Sequence, residues 1–255
     1  MPTISIAIQK GGSAKTTTTI NLGAALRDQG HKILLIDLDP QSNLTQSLGI
    51  DQEVERSIYD ELRAASMGQK ADLSRIIKTR HQLDVIPASL ELASAELELV
   101  SVFGRENLLR KMLKPLQQQY DYILIDCPPA LAMLTVNALV ASNYVLMPLQ
   151  AEFLPLKGVK SFMKSLENLK EQLNLKLDLL GIVLTKYDER KVMNRSVLEQ
   201  LEEAYRDKVF TTRIRTNIAL AQAQEHGYDI FNFLPNSNGA KDYLTLTEEI
   251  LKRLN

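Results

Sequence analysis

Residues 4–17 read ISIAIQKGGSAKTT, and the fold follows from how this stretch is read. Ile4, Ile6 and Ile8 form a short apolar run, Gly11 and Gly12 follow, and Lys15-Thr16-Thr17 opens a helix-forming segment. Strand, glycine-bearing turn and Lys-Thr helix start are the order a phosphate-binding loop requires. The strict spacing G-x-x-x-x-G-K-[ST] fails twice, because Gln9 stands for the first glycine and Ala14 for the glycine before the lysine. A second lysine, Lys10, opens the loop. In such a loop, backbone N–H groups and the start of the following helix, Ser13 and Ala14 included, surround phosphates. Gly11 and Gly12 let the backbone approach an anion. Lys15 neutralises phosphate charge, and the Thr16 hydroxyl suits Mg2+. Ala14 is tolerable if its backbone is already helical, since one methyl then adds little strain. The bland alternative is an ordinary strand-to-helix turn with a threonine-rich cap.

Outward from this loop, short apolar runs alternate with helical patterns. Runs at residues 32–39, 83–87, 122–126, 144–149, 179–185 and 209–214 read as strands. Residues 16–29, 91–119, 157–172 and 194–206 carry apolar side chains at three- and four-residue spacing. Continuous apolar strands mean burial on both faces, and alternation with helices means a mostly parallel sheet. The expected fold is α/β, doubly wound, with helices on both faces, in a single domain over residues 1–255. Gly30 is placed to stop the first helix. Residues 51–82 are the least patterned and are expected to form surface helices and loops.

Two more strand ends carry acids: Asp37 and Asp39 after ILLI, and Asp126 after YILI. Ligands of open α/β sheets bind beyond the carboxyl ends of the strands, where these acids and the glycine loop converge. Acids there suit Mg2+ held through water and the orientation of an attacking water. One such aspartate could be a simple helix cap. Three of them beside a Lys-Thr loop exceed that explanation.

Composition removes several other classes. The one cysteine, Cys127, excludes a disulfide framework within the chain and fits a reducing cytosol. His31, His81 and His226 are scattered without metal-ligand spacing. The first strand begins almost at once, leaving no room for a signal peptide, and no apolar run approaches the roughly 20 residues of a membrane span. A net charge of −1 means that polyanion binding must come from a local patch.

Seven segments, at residues 9–19 (QKGGSAKTTTT), 21–26 (NLGAAL), 35–44 (LIDLDPQSNL), 122–131 (YILIDCPPAL), 147–153 (MPLQAEF), 215–223 (RTNIALAQA) and 238–243 (NGAKDY), resemble the ParA/Soj-type partition ATPases of the MinD/ParA deviant Walker group. They follow that family's order across nearly the whole chain. Gln9 is usual in the family, and Ala14 departs from its main pattern. The resemblance implies ATP and Mg2+ as cofactors. It implies that Lys10 reaches across an ATP-sandwich homodimer to the partner's phosphates, and that Lys15, Thr16 and Thr17 are the phosphate and metal contacts in cis. Asp39 then positions the hydrolytic water, with Asp37 its neighbour in the metal network and Asp126 the Walker B acid. Residues 185–188 and 215–217, with Thr185, Arg215 and Asn217, would flank the adenine. A cation supplied in trans makes dimerisation depend on nucleotide.

For the output, eight basic residues face six acids between Lys186 and Arg215. A solvated helix face is the bland reading. The resemblance instead assigns nonspecific DNA contacts to this region, with Arg190, Lys191, Arg195, Arg213 and Arg215 as candidates. Ala219 stands where many relatives have an arginine. The expected protein is a cytoplasmic, nucleoid-associated ATPase with slow basal turnover, stimulated by a ParB-like or other adaptor, that partitions a plasmid, a chromosome origin or another cargo. Without an N-terminal DNA-binding extension, operator-specific repression is not expected. The alternatives are a MinD-like membrane-surface ATPase and a P-loop metabolic ligase. The tail, TLTEEILKRLN, has an apolar stripe at Leu246, Ile250, Leu251 and Leu254, which reads as a core-packing face rather than a membrane anchor.

Overall fold

The strands take their places because their side chains are apolar on both faces. In β2 (Ile33–Asp37), Leu34 and Ile36 enter one hydrophobic core, while Ile33 and Leu35 enter a second on the opposite face. The computed structural model describes residues 2–151 and 155–254, with the backbone alone at 155 and 156. Chain order begins with β1 (Thr3–Ile6), α1 (Lys15–Asp28), β2, α2 (Asn43–Ser47), α3 (Ile58–Ser66), β3 (Lys78–Arg80) and β4 (Leu83–Ile86). It continues with α4 (Leu92–Glu98), α5 (Leu108–Leu113), β5 (Tyr122–Asp126), α6 (Met133–Ala141), β6 (Tyr144–Gln150) and α7 (Pro155–Gln172). β7 (Asp178–Thr185), α8 (Val192–Tyr205), α9 (Ile218–Glu225), α10 (Ile230–Phe233) and α11 (Asn238–Leu254) complete it.

The seven strands form one sheet in the order β3-β4-β2-β5-β1-β6-β7, parallel except for the antiparallel β3–β4 pair. This is the doubly wound α/β fold expected from the alternation. Helices α3 to α8 cover one face; α1, α2 and α9 to α11 cover the other. α1 lies close on the sheet because Gly23 has no side chain: a Cβ there would stand 2.7 Å from Leu35 Cδ2. Burying a leucine such as Leu35 contributes about 1.5–3 kcal/mol. α1 ends as expected at Gly30, which takes φ +88° while its N–H bonds Arg27 O at 2.8 Å.

Three expectations fail. Residues 209–214 are not a strand; Phe210 N–H donates to Ile182 O and Ile214 N–H to Leu184 O, and isolated parallel bridges pair Ile182 with Val209 and Tyr187 with Arg215, without forming a continuous ladder. Arg206 and the turn after it interrupt the approach, and Thr211 and Thr212 give their N–H groups to the Glu249 carboxylate instead of to a ladder. Within the unpatterned stretch, residues 78–80 form the edge strand β3, too short and polar to show an apolar run. The long 91–119 helix is broken into α4, α5 and short 3-10 turns, with Gly104 in a left-handed conformation between them.

The C-terminal stripe is a packing face. Leu246 and Ile250 are fully buried in the core under α1, and Leu251 and Leu254 pack against the same cluster. Among the described residues, no helix is long and apolar enough to cross a membrane.

Candidate functional site

β1, β2 and β5 lie side by side, and their register aligns Ile6 and Asp37 with Asp126. The loop between β1 and α1, residues 7–14, therefore leaves the sheet directly over two buried carboxylates. Around it opens a cleft of about 400 Å3 lined by Gly11 to Thr17, Asp39, Gln41, Asn43, Ser47, Pro129, Lys186 and Gln224.

The loop is braced from within. Lys15 is buried, and its Nζ donates to Lys10 O at 3.1 Å, while Ser13 Oγ donates to the same carbonyl at 3.2 Å. Thr185 Oγ1 donates to Ser13 O from beneath at 3.2 Å, and Lys186 Nζ reaches Gly12 O at 3.5 Å. Gly11 and Gly12 meet open space where a side chain would stand, so the backbone there can face an anion. Ala14 does not have the helical backbone that would make its methyl harmless. It sits at φ +67° and ψ 32°, in the left-handed region, as the N-cap of α1. For an alanine this costs about 1–2 kcal/mol, which a glycine would not incur.

The carboxylates divide into distinct roles. Thr16 Oγ1 donates to Asp126 Oδ2 at 2.6 Å, whereas Asp126 Oδ1 is buried without a hydrogen-bond partner. Burial, and next to it the Asp37 charge, pushes the Asp126 carboxyl well above the usual range. Asp37 is also fully buried, but both its oxygens are engaged: Oδ1 accepts from Asp39 N–H, and Oδ2 accepts from Thr45 N–H and Oγ1. Burial pushes its carboxyl up to about 6. Asp37 is thus a brace that folds the chain after β2 back over the strand end. Asp39 faces the cleft, with Oδ1 accepting from Gln41 N–H at 3.0 Å. The expected set Thr16, Asp37, Asp39 and Asp126 does not form a cage: among the described residues, no three His, Cys, Asp or Glu side chains could jointly hold a cation. Cys127 is buried behind this row, and burial pushes its thiol up, so it is a neutral core residue.

The other expected residues lie under the loop or around a second recess. Thr185 is buried under the loop rather than facing the cleft. Asn217 caps α9, its side chain accepting from Ala219 N–H at 2.9 Å. Arg215 lines a separate recess of about 380 Å3 with Tyr187, Asp188, Glu189, Arg190, Thr216 and Asn238. Its guanidinium forks onto Asp242, with Nη2 to Oδ1 at 2.6 Å and Nε to Oδ2 at 3.0 Å. Of the other basic candidates, Arg190 pairs with Asp188 at 2.9 Å and Arg213 with Glu202 at 3.2 Å. Arg195 donates to Glu189 O, and Lys191 is exposed at the start of α8. Ala219 is buried against the core, so its position presents nothing to a partner. The resembling segment at 147–153 extends to Glu152 and Phe153, which lie outside the described residues. Lys186, within the expected 185–188 loop, also enters the cleft, and Ser47 and Gln224 enter it without any local pattern that marks them.

Comparison with known proteins agrees with this geometry. A family model described as an AAA domain matches residues 1–179. The sporulation initiation inhibitor protein Soj of Bacillus subtilis is 44% identical over 250 residues, covering 97% of either chain. The chain belongs to the ParA/Soj family of P-loop ATPases. The chromosome partitioning protein ParA of Caulobacter vibrioides is 39% identical, over 98% of this chain and 94% of its own. Among solved structures, cobyrinic acid a,c-diamide synthase from Mycobacterium smegmatis, with a bound ATP analog and magnesium, superposes with a TM-score of 0.86 at 34% identity. That match covers 100% of this chain and 96% of the synthase. Ala14, in its left-handed backbone, is a strain that this chain's loop must absorb.

Proposed function

We propose that this chain is a partition ATPase: a domain spanning residues 1–255 that dimerises around ATP, binds DNA without sequence preference in that state, and positions a cargo with the help of an adaptor protein. The observation that carries the reading is the Thr16–Asp126 pair, with its unpartnered Asp126 oxygen, set beneath the open Gly11–Gly12 backbone and beside Asp39.

Phosphates fit here because the loop offers exposed backbone and two cleft lysines, Lys15 and Lys186. Mg2+ fits as well: it needs few protein ligands and keeps waters, so one hydroxyl with a carboxylate behind it suffices. Thr16 would hold it, with Asp126 and Asp39 receiving its waters and Asp37 fixing Asp39; when bound, the ion neutralises developing phosphate charge. Lys15 would move from Lys10 O onto a phosphate oxygen. Asp39 is placed to orient an attacking water. Lys10 would serve the partner protomer's nucleotide, which makes the dimer conditional on ATP. Arg190, Lys191, Arg195, Arg213 and Arg215 form the DNA-facing side, where two protomers double the number of phosphate contacts. Slow basal turnover and stimulation by the adaptor follow from the resemblance, as does a cytoplasmic, nucleoid-bound location. The ligase alternative rests on 34% identity to the synthase, against 44% to Soj. The membrane alternative is less favoured, since Leu246 and Ile250 of the tail stripe are buried and Leu251 and Leu254 pack against the same core.

A band-shift of nonspecific duplex DNA, with and without ATP and Mg2+ at two salt concentrations, tests the output. Binding should require ATP and fall steeply with salt. Equal binding in every condition, or none in any, removes the DNA claim.

A further inference from the structure

Gln224 of α9 reaches into the cleft and joins two elements far from it in sequence. Its Oε1 accepts from Thr17 Oγ1 on α1 at 3.0 Å, and its Nε2 donates to Ser47 Oγ on α2 at 3.3 Å. Below this amide, α2 and α9 meet backbone to backbone. Both helices end in left-handed glycines, Gly49 at φ +65° and Gly227 at φ +78°, and a Cβ on Gly227 would stand 3.5 Å from Gly49 Cα. His81 fastens the second turn, with Nε2 3.1 Å from Gly227 O and its ring stacked on Tyr228. Asn217, the N-cap of α9, stands two residues beyond Arg215.

A threonine hydroxyl carries a single proton. While Thr17 donates it to Gln224, that proton is not available to a phosphate oxygen. We propose that Gln224 is a positioning residue that competes with bound phosphate for the Thr17 hydroxyl, so that nucleotide binding releases α9 from α1. This rests on the nucleotide reading of the cleft. In the free protein the Thr17–Gln224–Ser47 bridge spans α1, α9 and α2. When a phosphate accepts the Thr17 proton, Gln224 Oε1 loses its donor and the bridge keeps only its Ser47 arm. The change is transmitted to α9 and, through it, to the segment carrying Arg213 and Arg215. Occupancy of the cleft is thereby reported at the basic surface by a route separate from dimerisation.

Gln224→Met keeps the length of the side chain and removes the amide; Gln224→Ala removes the whole arm. The competition predicts tighter nucleotide binding in both, by roughly two- to tenfold, the worth of one neutral hydrogen bond. Titration of the protein with ADP and Mg2+ reads this directly. Amide hydrogen exchange over residues 218–227 gives a second readout that lost packing does not imitate. In the wild type, protection there should drop on adding ADP; in Gln224→Met it should start low and stay unchanged. Unaltered or weaker ADP binding in both folded variants overturns the inference, as does α9 protection that ignores ADP in the wild type. If the wild type binds no nucleotide, the cleft reading itself fails and the two failures are told apart. Thermal unfolding confirms that each variant is folded.

Discussion

Thr16 gives its hydroxyl proton to one oxygen of Asp126 at 2.6 Å, while the other oxygen of that carboxylate is buried with no partner at all. An acid desolvated on both sides and half-satisfied is a poor structural choice. Replacement by the isosteric amide keeps the bond to Thr16 and removes the charge. Asp126→Asn should therefore stabilise the nucleotide-free protein by about 1–3 kcal/mol, read as a higher thermal midpoint, while ATP turnover falls at least about a hundredfold. A lower midpoint with turnover intact would assign Asp126 to the fold instead.

Ala14 holds a left-handed backbone where glycine is the easier residue. Ala14→Gly removes about 1–2 kcal/mol of strain and returns about 0.4–1 kcal/mol through the freer unfolded chain. The net expectation is a gain of roughly 0.5–1 kcal/mol in urea unfolding. A loss of stability would mean that the methyl makes contacts that outweigh the strain.

Asp37 titrates near 6 in the folded chain because burial outweighs its bonds to Thr45 and Asp39. The folded state then keeps a proton that the unfolded chain has released, so this group's contribution to stability falls as pH rises from about 4 to about 6 and levels beyond, while Asp126, raised by burial and the Asp37 charge, adds a fall in the same direction. Between pH 4.5 and 6.5 this group should cost on the order of 2 kcal/mol. Asp188, held down at about 2 beside Arg190, titrates below that window and does not mask it. Chemical unfolding in nucleotide-free buffer should show this fall in the wild type and a flatter profile in Asp37→Asn. Parallel profiles would contradict the assignment.

Arg215 and Lys191 separate folding from DNA binding. Arg215 forks onto Asp242, whose side chain is only 9% exposed, so Arg215→Ala leaves a near-buried carboxylate without its cation. A loss of about 1–3 kcal/mol in stability is expected there. Lys191→Ala should leave stability within about 0.5 kcal/mol and lower the salt slope of DNA binding by about one. If Lys191→Ala leaves DNA affinity and slope untouched, Lys191 is not part of the interface.

Much of this architecture is legible in the sequence because it is local. Residues 4–17 read as strand, turn and helix since each carries its own period and punctuation. Asp37, Asp39 and Asp126 announce themselves by ending apolar runs. What could not be read depends on contacts between distant parts of the chain. Asp37 is a brace only because Thr45 folds back on it, and Gln224 enters the cleft only because α9 packs beside α2. Thr185, Arg215 and Asn217 sit near the loops expected of them, yet their side chains serve Ser13, Asp242 and the start of α9. A methyl at Ala14 is harmless only on a helical backbone, and the left-handed dihedrals that position takes follow from how the loop packs. Residues 209–214 have the composition of a strand, but Glu249 takes the N–H groups a ladder would need.

ATP is expected to join two copies of this chain through Lys10. Light-scattering mass in ATP and Mg2+ tests it most directly, using Asp39→Ala to slow hydrolysis. Asp39→Ala should run as a dimer with ATP and a monomer without. Lys10→Ala in the same background should bind ATP yet remain a monomer. A Lys10→Ala protein that dimerises as readily as its parent would contradict the account.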